Sequence, residues 1–300
     1  MTYTGPIVDA HHHVWRRDDL EWLAGEPVPR IFGPYEPIRR DYLIDEYVTD
    51  ATAAGITESV YVQTNWPLPR VLDEVRWLAD VHAASGWPAA VIGAADLFAP
   101  AEDVLRAQAA LSPLLRGTRH QLHWHERPEF RFADRPDALL DPVLARNLAV
   151  VADLGWLFEL QVFPAQMADA ATLVAAHPGL TFVLVHAGML IPGEDEAWRA
   201  GMSRLAEQPN VVVKLTGQGT FVHRVDSGLL RLVTDTVLEL FGPERALFGT
   251  NFPIEKLWTT MPTLVDAWRA TLAGLPAEQQ RWIFAENARR VYGLTPDRST

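Results

Sequence analysis

A chain of 300 residues with 26 basic and 38 acidic side chains has a formal charge of −12, which disfavours a nucleic-acid groove or an anionic membrane surface. It contains no cysteine, so disulfides, thiolate metal sites and a cysteine nucleophile are excluded and His, Asp and Glu remain as ligands. At 48% hydrophobic it can bury a large core, and without an apolar run of ~18 residues or a basic leader it reads as a cytoplasmic protein with neither membrane span nor secretory signal.

The first predicted element is a strand, Ile7–Val14, that contains Asp9-Ala-His11-His12-His13. Side chains alternate along a strand, so Asp9, His11 and His13 are expected on one face and His12 on the other. Two imidazoles on one strand face can converge on a single metal ion, or on one substrate carboxyl or carbonyl group. The run is embedded among apolar residues, unlike a purification tag. After it, residues 17–40 hold Pro27, Pro29, Pro34 and Pro37, a density that no helix interior tolerates, interleaved with Trp22, Phe32 and Tyr35. A loop this long after the first strand is expected to build the substrate side of a site.

Seven more strand-like runs follow: 58–64, 89–97, 117–124, 156–163, 181–188, 211–219 and 245–253. Helical periodicity fills segments between them, over 71–79, 139–148, 166–176, 229–241 and 261–272. Asp141-Pro142 reads as an N-cap with proline in the first turn, and Gly155 and Gly242 as C-terminal stops. This alternation predicts an α/β chain that is one (β/α)8 TIM barrel domain over residues 1–300. A doubly wound open sheet is the alternative, but no glycine-rich phosphate turn follows the first strand.

In such barrels the C-terminal strand ends form the active face. They carry His11 and His13, then Gln63-Thr64-Asn65, then Asp96. The fourth run sets Arg119, Gln121 and His123 on one face, with His125 just beyond. The later strands contribute Glu159 and Gln161, His186, Lys214 and Asn251. Glu159 and Lys214 also read as a buried ion pair that only supports the fold. His82, His177 and His223 are given no role.

These residues resemble the amidohydrolase superfamily, in its branch of lactonase-like and decarboxylase-like metal-dependent hydrolases. The resemblance rests on Asp9-Ala-His-His-His-Val-Trp15, Arg116-Gly-Thr-Arg119, Phe158-Glu-Leu-Gln161, Val185-His186-Ala-Gly188, Phe248-Gly-Thr-Asn251-Phe-Pro253 and Asn287-Ala-Arg-Arg-Val-Tyr-Gly293. It implies catalytic roles for His11, His13, His186 and the residue at Asn251. It also implies that His11, His13 and His186 hold one divalent ion, zinc or manganese, where a metal is present. Relatives have Asp where this chain has Asn251, and a neutral amide cannot act as a general base. That change leaves either a metal-free site or an ion without its usual carboxylate. The candidate bases are then His186, His123, Glu159 and Glu255.

The expected function is hydrolysis of a small lactone or related cyclic ester, from a sugar or from aromatic catabolism, by water attack on the carbonyl. Arg119 and His123 suit a substrate carboxylate or hydroxyl, with Gln161 and Asn65 at neighbouring strand ends and Trp15 suited to a flat ligand. Non-oxidative decarboxylation of an aromatic acid is the near alternative, which the loss of the acid at Asn251 disfavours. A ligand-binding barrel without catalysis is the other. The expected partner is a small molecule, and the sequence leaves a homo-oligomer open.

Overall fold

The computed structural model describes residues 3–294, so the two residues before and the six after, which the single-domain expectation over 1–300 included, lie outside the described residues. Eight short strands form one parallel sheet in chain order: β1 (Ile7–His12), β2 (Ile56–Val62), β3 (Ala90–Gly93), β4 (Leu115–Thr118), β5 (Leu157–Leu160), β6 (Phe182–Leu184), β7 (Val211–Leu215) and β8 (Ala246–Phe248). A bridge from His12 to Phe252 and a 2.7 Å bond from His13 N to Phe252 O bring the last strand back to the first. The TIM barrel is therefore present as expected.

The strands form where both faces can be buried, because Val, Ile and Leu dominate them and nearly every strand position is inaccessible. One apolar set, including Val8, Ala10, Val60, Val62, Ile92, Val183 and Val212, packs together with Ala288 and Tyr292 of the closing helix. A larger set joins the outer strand face to the surrounding helices. Asp141 caps the helix Pro142–Asp153 by accepting from Val143 N at 2.7 Å, with Pro142 in the first turn. Among the described residues no helix is long and apolar enough to cross a membrane.

Two differences from the expected elements bear on the site. Regular pairing ends early: β4 stops at Thr118 rather than Trp124, β6 at Leu184 rather than Gly188, and β8 at Phe248 rather than Pro253. The chain leaves the ladder there to present side chains at the barrel mouth.

The second difference corrects the expected alternation in β1. Its register advances three residues, Asp9 to His12, while β2 advances two, Ser59 to Tyr61. The extra residue of such a bulge shifts the side-chain phase. Asp9 consequently shares its face with His12, not with His11. Asp9 accepts from the Tyr47 hydroxyl at 2.9 Å, and the His12 ring stacks on the same tyrosine with centroids 3.8 Å apart. Tyr47 belongs to the helix Ile44–Ala54, outside the barrel. His11 and His13 are left on the inner side.

Candidate active site

A cavity of about 130 Å³ opens at the C-terminal ends of the strands. Its floor is polar and draws on most strands: His13, Arg119, Gln121, His123, Gln161, His186 and Asn251 all line it, with Asn65 and Trp15 at the side. Every expected substrate-binding residue thus faces one space. His11 does not line it. It lies just beneath, fully buried, with its ring centroid 5.0 Å from His13 and 4.9 Å from His186.

The local backbone explains how these side chains arrive. Asn65, His186 and Asn251 have φ of 63°, 54° and 58°, a left-handed region that costs non-glycine residues of order 1 kcal/mol or more. Each turns the chain sharply out of its strand. Surrounding bonds hold the turns: Asn65 N donates to Gln63 Oε1 at 2.6 Å, and Asn251 N to His11 O at 2.7 Å. Gly217, at φ 72°, must be glycine because a Cβ there would lie 2.5 Å from His186 Nδ1. Arg119, Gln121 and His123 keep period two beyond β4, while His120 turns the other way and accepts from Leu97 N at 3.0 Å.

The hydrogen bonds assign ring protons. His13 Nδ1 lies 2.7 Å from Val62 O, and a carbonyl only accepts, so Nδ1 carries the proton and Nε2 keeps its lone pair. His186 Nδ1 lies 2.7 Å from Thr216 Oγ1. Burial, followed by the charge of Arg119, pushes His13 down to about 3. Burial first, then Arg119 and Lys214, hold His186 well below the usual histidine range. These rings are neutral at physiological pH. Arg119 is 4% exposed, donates to Gln63 O at 2.6 Å and leaves Nε without a partner. Burial lowers it to about 10, so it remains a cation beside the cavity.

Of the other candidate bases, Glu159 is occupied, accepting from Lys214 at 2.5 Å and from the Tyr292 hydroxyl at 3.0 Å. The ion pair expected from the sequence is present. Glu255 sits behind Asn251, with Trp258 Nε1 donating to it at 2.7 Å, and burial raises it to about 8. It does not line the cavity. His123 does, with burial and Arg119 lowering it to about 3.

The metal set expected from sequence is brought together in space. His11, His13 and His186 cluster, and His11 Nε2 is a buried atom without a partner. Yet among the described residues no group of three His, Cys, Asp or Glu side chains is placed to hold a metal ion. The neighbouring charges also disfavour a cation here. Asn251 is a neutral amide, Glu159 Oε1 is taken by Lys214, and the Lys214 ammonium is 3.4 Å from His11 Nδ1.

Sequence reasoning anticipated only part of the apolar mouth. Ile31 and Phe32 come from the proline-rich loop, Phe132 from the segment after β4, Met189 from that after β6 and Phe221 from that after β7. The proline-rich loop contributes as its length and aromatic residues led one to expect. The others lie in segments without periodicity, where only their aromatic or apolar character was a signal.

Comparison with known proteins now adds to this geometry. The profile of a family described as Amidohydrolase matches residues 8–294. The chain is 30% identical over 308 aligned positions to the L-fucono-1,5-lactonase of Burkholderia multivorans, covering 96% of each. A crystal structure of an amidohydrolase from Burkholderia multivorans with bound zinc superposes with a TM-score of 0.82 at 27% identity, covering 97% of this chain and 100% of that one. The 5-carboxyvanillate decarboxylase of Sphingomonas paucimobilis, at 13% identity and a TM-score of 0.67, shares the fold alone.

Proposed function

The chain belongs to the amidohydrolase family of hydrolases, and on that premise we propose that it opens a small lactone by attack of water on the ring carbonyl. The observation that carries the reading is the cavity floor, where neutral imidazoles and a guanidinium whose Nε has no partner surround one small space. The L-fucono-1,5-lactonase relatives support it, since a sugar lactone is of a size and polarity that this floor suits.

Each residue then has a defined task. His13 Nε2, held as an acceptor by the bond from Nδ1 to Val62 O, takes the proton of the attacking water. Arg119 stabilises the oxyanion that forms on the carbonyl oxygen and the carboxylate of the opened product. Gln121 and Gln161, joined at 3.4 Å, together with Asn65, orient ring hydroxyls. Asn251 orients the water without taking its proton, because an amide is not basic. The proton that His13 took from the water returns to the ring oxygen as the C–O bond breaks, while His186, held by Thr216, lines the same space as a neutral ring. No step in this scheme passes through a metal ion, and the zinc of the Burkholderia multivorans structure is a property of that protein.

A panel of five- and six-membered lactones, followed by acid release with a pH indicator and in parallel by carbon dioxide evolution from aromatic acids, tests the reading. Acid from at least one lactone and no carbon dioxide is expected. Carbon dioxide evolution without ring opening would replace hydrolysis with decarboxylation.

A further inference from the structure

One buried charged cluster has no task in this scheme. Lys214 on β7 and Glu159 on β5 are both 0% exposed, and neighbouring inner positions such as Val183 and Val212 are apolar. Lys214 Nζ donates to Glu159 Oε1 at 2.5 Å, and the Tyr292 hydroxyl donates to the same oxygen at 3.0 Å. A buried ion pair gives little net stability over an apolar pair of the same volume, so its placement calls for another reason. Lys214 Nζ also lies 3.4 Å from His11 Nδ1, whereas Glu159 Oε2 is 4.0 Å from that nitrogen and has no hydrogen-bond partner.

These two distances decide the His11 proton. An ammonium group only donates, and 3.4 Å is within reach of a weak hydrogen bond, while 4.0 Å is not. His11 Nδ1 is then the acceptor, and the ring proton sits on Nε2. We propose that Lys214 is a positioning residue that fixes His11 in its Nε2–H tautomer, so that His11 presents an N–H group, without a protein acceptor, beneath the cavity floor and has no lone pair there for a cation. The two histidines of one strand thereby take opposite parts: His13 presents an acceptor and His11 a donor. Glu159 and Tyr292 hold the ammonium in place. The competing arrangement puts the proton on Nδ1, facing Glu159 Oε2, and opens Nε2 to a metal ion; removing the Lys214 charge favours it. The inference rests on the lactone reading only for the use made of that N–H group.

Two-bond 1H–15N correlation spectra of the metal-free wild-type protein read the tautomers directly. The expected pattern is Nε2–H for His11 and Nδ1–H for His13. Zinc titration calorimetry on Lys214→Met, and on Lys214→Met/Glu159→Gln so that no lone carboxylate stays buried, supplies the second readout. Tighter zinc binding than wild type by about tenfold or more is expected in whichever variant folds, the size typical of groups that orient a ligand. A His11 ring protonated on Nδ1 in the wild type, or zinc affinities in the folded variants within about twofold of wild type, would overturn the assignment. Neither readout involves a lactone, so its failure and that of the hydrolase reading are separable.

Discussion

At the residue scale the account turns on His13. Its proton is on Nδ1 because Val62 O accepts it, and its Nε2 is free toward the cavity wall that Arg119 and Asn251 share. Replacing His13 with Ala is expected to lower kcat by about a hundredfold, the usual contribution of a positioned base. A loss under about threefold would take that role from it. The pH profile follows from the direction of the shift. With His13 pushed down to about 3, the acceptor form persists well below the ordinary histidine range, so kcat/KM should show no histidine inflection near 6.5 between pH 7 and 5. A fall of about one decade per pH unit below 6.5 would show a titrating imidazole in the rate-limiting step. The residues of this site were legible in the sequence because polar side chains at the ends of buried strands are costly without a task. The partners that set their proton positions were not. Val62 O is a backbone atom, and the contact of Lys214 with His11 spans 203 residues.

At the element scale, the strand and helix order was readable from period and punctuation, while strand ends and the β1 bulge were not. Pairing stops after Thr118, Leu184 and Phe248 although the strand-like runs read from the sequence extend further, because tertiary bonds there replace the ladder. The bulge between Asp9 and His12 leaves no mark in an Asp-Ala-His-His-His run that alternates as well as any strand. Only Tyr47, brought in by the helix Ile44–Ala54, shows that Asp9 faces outward. Caps were more readable. Asp141→Ala removes the acceptor for Val143 N and should destabilise the protein by about 1 kcal/mol, seen as a lower Tm with unchanged KM. An unchanged Tm would mean that Pro142 alone sets the helix start.

At the scale of the whole molecule, buried titratable groups give the stability a maximum in pH. Burial is the largest cause of the downward shift at His11, His12, His13, His120, His123 and His186. Their unfolded value is about 6.5, so the stability of holding them neutral is present above that pH and is lost as pH falls below it. Asp9, Glu74 and Glu255 are shifted the other way, to about 6, about 7 and about 8, again chiefly by burial. The stability from keeping them protonated is present at low pH and is lost as pH rises through those values. Below about 6.5 the histidines outnumber the acids, and between about 6.5 and 8 the loss from Glu74 and Glu255 dominates, before Lys214, lowered to about 8 by burial, works the other way. Tm should therefore peak near pH 6.5 and decline toward pH 5 and toward pH 8; a monotonic rise from pH 5 to 8 would contradict the burial of these acids in protonated form. The central claim concerns how the intact barrel activates water, and metal removal tests it most directly. Elemental analysis before and after chelation, with lactone ring opening measured on the same samples, is expected to show turnover that persists after every divalent ion is gone. A stoichiometric, tightly held zinc whose removal abolishes ring opening, and whose return restores it, would contradict the account.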